Sequence, residues 1–275
     1  MLRWIASETS SGPGTCGARA GGPSARSDEQ AARRAQAWAK PGFTVALIGP
    51  DGAGKTTVAR RLEGSLDVPV KYLYMGVNPD ASNHLLPTTR LAHALKRRRG
   101  ALPDTAGPPD PERPAKVAPR GFRRVSSTSR SLLRLANRLA EEWHRQLVAS
   151  HHLRRGAIVV FDRHFFADYY VYDVVRNGNR SLARRIHGFV LRRFYPRPDL
   201  VVYLDAPPEA LLARKGEGTL ESLARRRGEY LELARVLKPF HLVDASRPLD
   251  EVTREVVGLI GNFSKRKAHE AWSGS

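Results

Sequence analysis

Short apolar runs alternate along this chain with stretches whose apolar residues recur at helical spacing. An uninterrupted apolar run is typical of a strand that is buried on both faces of a parallel sheet, where no position needs to be polar. On this basis we predict five strands, at residues 43–48, 70–74, 157–161, 200–204 and 240–243. Strands that alternate with helices predict an α/β domain built on a parallel sheet.

Helical spacing is clearest in three stretches. A helix that opens at Lys55 carries Val58, Leu62 and Leu66 on one face, and residues 85–99 and 126–153 predict two more helices. The Pro-rich residues 102–119 between these two predict a loop or linker. The helix at 126–153 carries an apolar stripe, which we expect to face the core: Leu132, Leu135, Leu139, Trp143 and Leu147.

The two ends of the chain lack this alternation. Residues 1–40 are rich in Ser, Gly, Ala and Arg and predict a disordered leader with one short helix. We assign residues 41–263 to one α/β domain, with a basic, Pro-rich insertion at residues 82–123, and residues 264–275 to a basic, flexible tail. With 275 residues and 41% apolar content, the chain can bury one good core.

Composition indicates the compartment. No apolar run is long enough to span a bilayer, and the N-terminus lacks the continuous apolar stretch of a signal peptide. The single cysteine, Cys16, excludes an intramolecular disulfide and suits a reducing environment. We therefore predict a cytoplasmic protein without a membrane span.

The net charge of +19 is concentrated in two regions. Residues 90–145 contribute +9 and residues 146–275 contribute +7. A field of this sign attracts nucleotides, nucleic acid and anionic membrane surfaces. A solvated Arg-rich surface accounts equally well for most of these side chains, so we expect any binding to nucleic acid to be weak and nonspecific.

A glycine-rich motif follows the first predicted strand. Residues 49–57 read GPDGAGKTT, which matches the phosphate-loop pattern of Gly, four residues and Gly-Lys-Ser/Thr. Backbone N–H groups of such a loop surround the β-phosphate, the lysine reaches the β- and γ-phosphate oxygens, and the next hydroxyl holds Mg²⁺. The N-terminus of the following helix adds a positive dipole end. We predict nucleoside triphosphate binding by Gly49, Asp51, Gly52, Ala53, Gly54, Lys55, Thr56 and Thr57, with Thr56 also a Mg²⁺ ligand.

Three charged or titratable residues end the third predicted strand: Asp162, Arg163 and His164. Open α/β sheets bind their ligands at this edge. Asp162 is placed to organise Mg²⁺ through water in the Walker B manner, and Arg163 to hold a phosphate through two parallel hydrogen bonds. The alternatives are a helix N-cap for Asp162 and a structural ion pair between Asp162 and Arg163.

Together these segments give the chain a resemblance to the thymidylate kinase family of P-loop nucleotide kinases. The further matching segments are 199–209 (DLVVYLDAPPE), 227–234 (RGEYLELA) and 243–246 (VDAS), which is followed by Pro248. The order and spacing of all these pieces are more specific than any single motif. The resemblance implies a three-layer P-loop kinase fold in which helices flank a five-stranded parallel sheet. It also implies ATP and Mg²⁺ as cofactors and phosphoryl transfer to a nucleoside monophosphate.

The resemblance also implies roles for single residues. In that family the acid of the phosphate loop contacts the acceptor sugar, the Arg after the third strand contacts phosphate, and a mobile lid over ATP supplies further cations. These roles would fall on Asp51, on Arg163, and on Arg214 with Lys215. The expected catalytic residues are then Lys55, Asp162, Arg163 and Arg214, and the loop with Ala245 and Ser246 would lie beside the adenine. A homodimer through helices that flank the third strand is also implied.

Two groups of residues are open to more than one interpretation. Tyr169, Tyr170 and Tyr172 follow Arg163 on a predicted helix, where they would either stack on an acceptor base or, for at least two of them, pack in the core. The arginines at 225–227 would point to different sides of a helix, and we expect most of them to face solvent.

Departures from the family keep two alternatives open. The family carries an Arg-Glu-Pro-Gly-Gly type segment after its second strand, whereas residues 74–79 of this chain read YMGVNP; the lid at 214–219 is short and lacks an Asp-Arg pair. One alternative is therefore a kinase of the same fold that acts on a nucleoside, a sugar or a specialised metabolite. The other is a nucleic-acid-associated ATPase or regulator, which the basic runs at 96–99 and 120–124 favour, although no base-stacking pattern interleaves these cations.

Overall fold

The computed structural model describes residues 42–76, 86–98, 124–170, 173–174, 181–216 and 218–273. Five strands form one sheet in the spatial order β2-β3-β1-β4-β5, and every neighbouring pair is parallel. The predicted strands and the parallel sheet are confirmed to within one residue at each end. The strands are β1 Thr44–Ile48, β2 Val70–Tyr74, β3 Ile158–Asp162, β4 Leu200–Asp205 and β5 Phe240–Asp244.

Helices cover both faces of the sheet, which gives three layers. Alternate residues of a strand point to opposite faces. Val45 and Leu47 pack on one side in a cluster with residues of α1 and α8. Ala46 and Ile48 pack on the other side with residues of α3, α4, α5 and α7. The helices are α1 Lys55–Leu62, α2 Pro87–Arg98, α3 Arg124–Leu153, α4 Phe165–Tyr170, α5 Leu182–Arg193, α6 Pro208–Lys215, α7 Leu220–Glu232 and α8 Leu249–Ser273.

Helix α3 confirms the helix predicted at 126–153 but not the face that it buries. Trp143 and Leu147 of the predicted core stripe are 38% and 67% exposed, and only Leu135 of that stripe is buried. The core prediction is therefore wrong for these two residues. The reason is that α3 turns a mostly polar face inward, which consists of Glu141, Glu142, Arg145, Gln146 and Ala149.

The C-terminal segment is helical and not a flexible tail. Helix α8 continues to Ser273, so the prediction for residues 264–275 is wrong over 264–273. Lys267 Nζ donates a hydrogen bond of 2.8 Å to Asp199 Oδ1 and lies 5.6 Å from the centre of the Phe43 ring. The Phe263 ring packs on Phe43 at 5.0 Å. These contacts attach the late turns of α8 to the start of β1.

Several predictions concern residues outside the part that the structure describes. These are the leader at 1–40 and the Pro-rich segment at 102–119, so the domain bounds and the insertion at 82–123 remain predictions. Helix α2 confirms the helix predicted at 85–99 to within two residues. None of the helices in the described part is both long and apolar enough to cross a bilayer.

Candidate active site

The phosphate loop connects β1 to α1 at the carboxyl edge of the sheet. Gly49 and Gly54 have φ angles of 147° and 85°, which favour glycine. A Cβ at Gly49 would lie 2.6 Å from the Leu204 carbonyl oxygen, whereas one at Gly54 would meet nothing within 4 Å. Gly49 therefore allows the loop to approach β4, and Gly54 allows the turn into α1.

The ammonium group of Lys55 lies inside this loop. Its Nζ donates to the carbonyl oxygens of Gly49 and Pro50 at 2.8 and 2.7 Å and lies 3.8 Å from Asp51 Oδ1. The side chain is 5% exposed, and burial, assisted by the nearby charge of Arg163, lowers the pKa of Lys55 to about 8. A phosphate group in the loop would add an anionic hydrogen-bond acceptor to the distant ion pair with Asp51.

Thr56 and Asp162 meet between α1 and β3. The Thr56 hydroxyl donates to Asp162 Oδ2 at 2.6 Å, and the Tyr72 hydroxyl of β2 donates to the same oxygen at 3.1 Å. Asp162 is fully buried, and its Oδ1 has no hydrogen-bond partner among the described residues. Because Mg²⁺ prefers hydroxyl, carboxylate and water oxygens, this pair fits a Mg²⁺ site. In the described part of the chain, the Asp162 carboxylate accepts hydrogen bonds from side chains, not from a first helical turn as the N-cap alternative requires.

The acid of the phosphate loop forms an ion pair with the arginine that follows β3. Arg163 Nη2 donates to Asp51 Oδ1, and Lys215 Nζ lies 3.8 Å from Asp51 Oδ2. Burial opposes ionisation of Asp51, but the charges of Arg163, Lys55 and Lys215 hold its pKa well below the usual range. The partner of Arg163 is therefore Asp51, not Asp162 as the ion-pair alternative proposed.

Arg163 also has an unusual backbone conformation. Its φ is 69°, and a non-glycine residue in such a region is strained by on the order of 1–3 kcal/mol. The backbone N–H of Arg163 donates to the Leu47 carbonyl at 3.1 Å, which holds the turn against β1. Strain of this kind persists where the surrounding structure fixes a side chain, and here it directs the guanidinium group toward Asp51.

A buried arginine of α3 bonds to Gly76, the residue that packs against the Arg163 side chain. Arg145 Nη1 donates to the Gly76 carbonyl at 2.7 Å, and its Nη2 lies 3.6 Å from Glu141 Oε2. Burial lowers the pKa of Arg145, and the charge of Glu141 opposes this effect. A Cβ at Gly76 would lie 2.2 Å from the Tyr74 hydroxyl oxygen and 2.7 Å from Arg163 Cδ. The segment that departs from the family after β2 thus requires glycine at this position.

Asp168 of α4 lies near enough to Arg163 to be affected by its charge. Asp168 is 7% exposed and accepts a hydrogen bond of 3.0 Å from the Tyr230 hydroxyl of α7. Burial raises the pKa of Asp168, and the charges of Arg163 and Arg226 oppose this rise. Tyr169 is 1% exposed, so core packing holds for that tyrosine, whereas Tyr172 lies outside the described residues.

The two cations at the end of α6 lie in different places. Lys215 approaches Asp51, whereas Arg214 donates to the carbonyl oxygens of Ala245 and Ser246 at 2.9 and 3.4 Å. Asp244 Oδ1 accepts hydrogen bonds from the backbone and hydroxyl of Ser246, which holds this loop. The structure thus brings Arg214 together with the two residues predicted beside the adenine. A contact of Arg214 with phosphate stays a prediction.

Arg227 makes a contact that sequence reasoning missed. Its Nε and Nη2 donate to the two carboxylate oxygens of Asp205, each at 2.7 Å, and so join α7 to the end of β4. Arg226 lies 3.6 Å from Glu229. Arg225, Arg226 and Arg227 are all partly exposed, so the expectation that most of them face solvent holds only in part.

Comparison with known proteins agrees with this geometry. The family model described as thymidylate kinase matches residues 123–256, which include Asp162, Arg163, Arg214 and Lys215. The phosphate loop precedes the matched residues, and its glycine conformations, Lys55 and the Thr56–Asp162 contact supply the remaining part of a P-loop site. This chain is a P-loop kinase, and its residues 123–256 are similar to thymidylate kinase.

The kinase also has a solved structural neighbour. This is deoxyadenosine kinase from M. mycoides, with the products dCMP and a flexible dCDP bound. The two chains are 15% identical, with a TM-score of 0.46, and the match covers 80% of this chain and 100% of that one.

Most of the residues predicted for the kinase site lie together. Lys55, Thr56 and Asp162 form one group, and Asp51, Arg163 and Lys215 form a second group beside it. Sequence patterns did not indicate three further residues near the site, because their partners lie far away in the chain. Tyr72 bonds to a residue 90 positions away, Arg145 to one 69 positions away and Tyr230 to one 62 positions away. Local periodicity carries no signal for such contacts.

Proposed function

We propose that this kinase transfers the γ-phosphoryl group of ATP to a nucleoside monophosphate. The observation that carries the proposal is the ion pair between Asp51 and Arg163, next to the phosphate-loop lysine. The charges around Asp51 hold its pKa well below the usual range, so Asp51 is a weak base. A hydroxyl acceptor needs a base whose pKa lies near the working pH, whereas a phosphate with a pKa of about 6 is already anionic.

The residues around the loop supply what transfer to a phosphate requires. Phosphoryl transfer needs little covalent help from the protein and depends on positioning and neutralisation of charge. Lys55 would hold the β- and γ-phosphate oxygens, and Arg163 would hold the acceptor phosphate. Thr56 and Asp162 would hold Mg²⁺, which neutralises charge on the transferred phosphoryl group when it is bound. Arg145 bonds to Gly76, which packs against Arg163, and would add positive charge on the acceptor side.

A kinase for a hydroxyl acceptor, such as a nucleoside or a sugar, is the second candidate. Asp168 favours it, because burial raises the pKa of this carboxyl group toward the range of a general base. The Tyr230 hydrogen bond fixes the orientation of Asp168. The two candidates differ in the acceptor group alone and share the donor site.

The deciding experiment is ADP release from Mg-ATP by the purified kinase with a panel of nucleoside monophosphates, nucleosides and sugar phosphates. We expect turnover with one or more nucleoside monophosphates. Lys55→Ala should lower kcat by about 10²-fold or more while the protein stays folded, because it removes a charge that contacts the transferred group. Lys265→Ala removes an exposed lysine of α8 and should leave kcat unchanged.

Each other result has a definite meaning. Turnover with nucleosides or sugars, and none with monophosphates, would replace the proposed acceptor by a hydroxyl compound. Measurable ATP binding without turnover of any acceptor would contradict both candidates and favour the regulator alternative. Unchanged turnover in Lys55→Ala would remove the role assigned to that lysine.

A further inference from the structure

A histidine is buried between two carboxylates outside the groups described so far. His187 Nδ1 lies 2.6 Å from Asp173 Oδ2, and His187 Nε2 lies 3.0 Å from Glu142 Oε1. None of the three side chains is more than 1% exposed. A buried polar group of this kind is stable only when its hydrogen bonds and its charges are balanced.

The charges of this network balance when the histidine is protonated. Imidazole can donate on both sides only as imidazolium, and both of its nitrogens face carboxylate oxygens. Arg184 Nε, from the same helix as His187, lies 3.3 Å from Asp173 Oδ1. Two carboxylates, one imidazolium and one guanidinium sum to zero. Burial lowers the pKa of His187, but the hydrogen bonds and charges of Asp173 and Glu142 outweigh burial and raise it.

The network joins the helices that supply the acceptor side of the site. Glu142 lies on α3, one turn before Arg145, and Asp173 follows α4, which carries Asp168. His187 lies on α5, whose Gly188 allows close approach, since a Cβ there would lie 2.0 Å from the Asp173 carbonyl oxygen.

The remaining group against His187 comes from α4. The Tyr169 ring meets the His187 ring edge-on at 5.2 Å. The Arg138 guanidinium group of α3 lies over the Tyr169 ring, at 4.8 Å from the ring centre. Within the part of the chain that the structure describes, the charged and titratable groups around His187 are Glu142 from α3, Asp173 after α4, Arg184 from α5 and Tyr169 from α4.

We propose that His187 is a positioning residue for the acceptor. By joining Glu142 to Asp173 it fixes α3 and α4 relative to each other. It thereby fixes Arg145 against Gly76 and Asp168 within the field of Arg163. This rests on the proposed function, which places the acceptor on this side of the phosphate loop. The donor side is independent of the network, because Lys55, Thr56 and Asp162 are held by the phosphate loop, α1 and β3.

The network gives the acceptor site a defined pH dependence. A histidine whose pKa is raised on folding contributes fully at low pH, and the contribution is lost as pH rises through the raised value. Loss of the proton would leave one uncompensated negative charge among buried groups, which destabilises the arrangement of the two helices. Affinity for the acceptor should therefore weaken with rising pH, whereas a purely structural contact would show no such link.

The test is the acceptor KM at saturating Mg-ATP, measured from about pH 6 to about pH 10. His187→Gln should raise the acceptor KM about 10- to 100-fold at low pH. A small displacement of groups that position a substrate has an effect of this size. The wild type and the variant should converge as pH rises, because the wild type then loses its own imidazolium. The KM for Mg-ATP should be the same in both proteins at each pH, so titration of Lys55 cancels from the comparison.

His144→Gln is the matched control. His144 is only half-buried on α3, and its replacement should leave the acceptor KM unchanged. Parallel acceptor KM profiles for the wild type and His187→Gln, or an equal rise in both KM values, would overturn the positioning role. If His187→Gln does not fold, the wild-type profile decides alone, and an acceptor KM that does not rise with pH overturns the proposal.

Failure of the proposed function would be recognised separately. If none of the nucleoside monophosphates, nucleosides and sugar phosphates is phosphorylated, the proposed function fails. The role of the His187 network is then tested by amide hydrogen exchange of α3 and α5 in the presence of Mg-ATP. Opening of these helices that increases with pH in the wild type but not in His187→Gln supports the network. Identical pH dependence in both proteins overturns it.

Discussion

Single residues of the phosphate loop are arranged for an anion. Among the described residues, Lys55 finds only backbone carbonyls as hydrogen-bond acceptors, and burial lowers its pKa to about 8. Bound phosphates would remove this penalty, because opposite charges favour the protonated ammonium group. Ligand binding should therefore be coupled to proton uptake.

We expect the kinase to take up about half a proton per bound Mg-ATP at pH 8, where free Lys55 is about half protonated and the bound residue is fully protonated. Calorimetric titration in two buffers of different ionisation enthalpy measures this number. Lys55→Arg is the matched control, because arginine keeps its proton at all relevant pH values. Equal uptake by the variant would show that another group titrates.

At the scale of elements, α3 shows how far a periodic pattern can be trusted. Its helical spacing was correct, but Leu147 lies on the outer face and the buried face is mostly polar. The buried polar residues serve different neighbours, since Arg145 bonds to Gly76 and Glu142 bonds to His187. Ala149, which is not part of the predicted apolar stripe, is 1% exposed and packs in the core cluster on the α3 side of the sheet.

Ala149→Leu should therefore lower the free energy of unfolding by about 1–3 kcal/mol, because extra methylene groups would be forced into a packed region. Ala140→Leu makes the same substitution at an exposed position of α3 and should change the free energy of unfolding by no more than about 0.5 kcal/mol. Urea unfolding of both variants measures the difference. Equal effects would mean that helix propensity, not packing, decides both.

At the scale of the whole molecule, the exposed apolar residues bear on assembly. Helices α3 and α5, which precede and follow β3, contact each other and expose Leu133, Trp143, Leu147, Ile186 and Phe189. Exposed apolar patches often mark an interface between protein chains. The homodimer that the resemblance implies remains a prediction, as does weak binding of nucleic acid through the basic insertion.

Light scattering should give the mass of a dimer for the wild type and of a monomer for Leu147→Asp, because a carboxylate would be buried at the interface. Leu220→Asp is the matched control. Leu220 is 46% exposed in the first turn of α7, where a negative charge is favourable, so this variant should remain a dimer. A monomeric wild type, or dissociation by both variants, would contradict an interface at α3.

The sequence by itself determined the five strands, the parallel sheet and the phosphate loop. These follow from local pattern, since a buried strand must be apolar throughout and a loop around phosphate needs glycine at Gly49 and Gly54. It also placed Asp162 and Arg163 at the correct edge, because parallel strands bring their carboxyl ends to one side.

Only the tertiary structure decided which side chains meet. Asp51 pairs with Arg163 across 112 residues, and Arg145 reaches Gly76 across 69 residues. His187 bonds to Glu142 across 45 residues and to Asp173 across 14 residues. Such partners are chosen by how helices pack on the sheet, and the energy of a buried charge depends on neighbours that no local pattern contains. The local spacing of apolar residues predicted that α3 is a helix. Its packing against the rest of the fold decided that the polar face is the buried one.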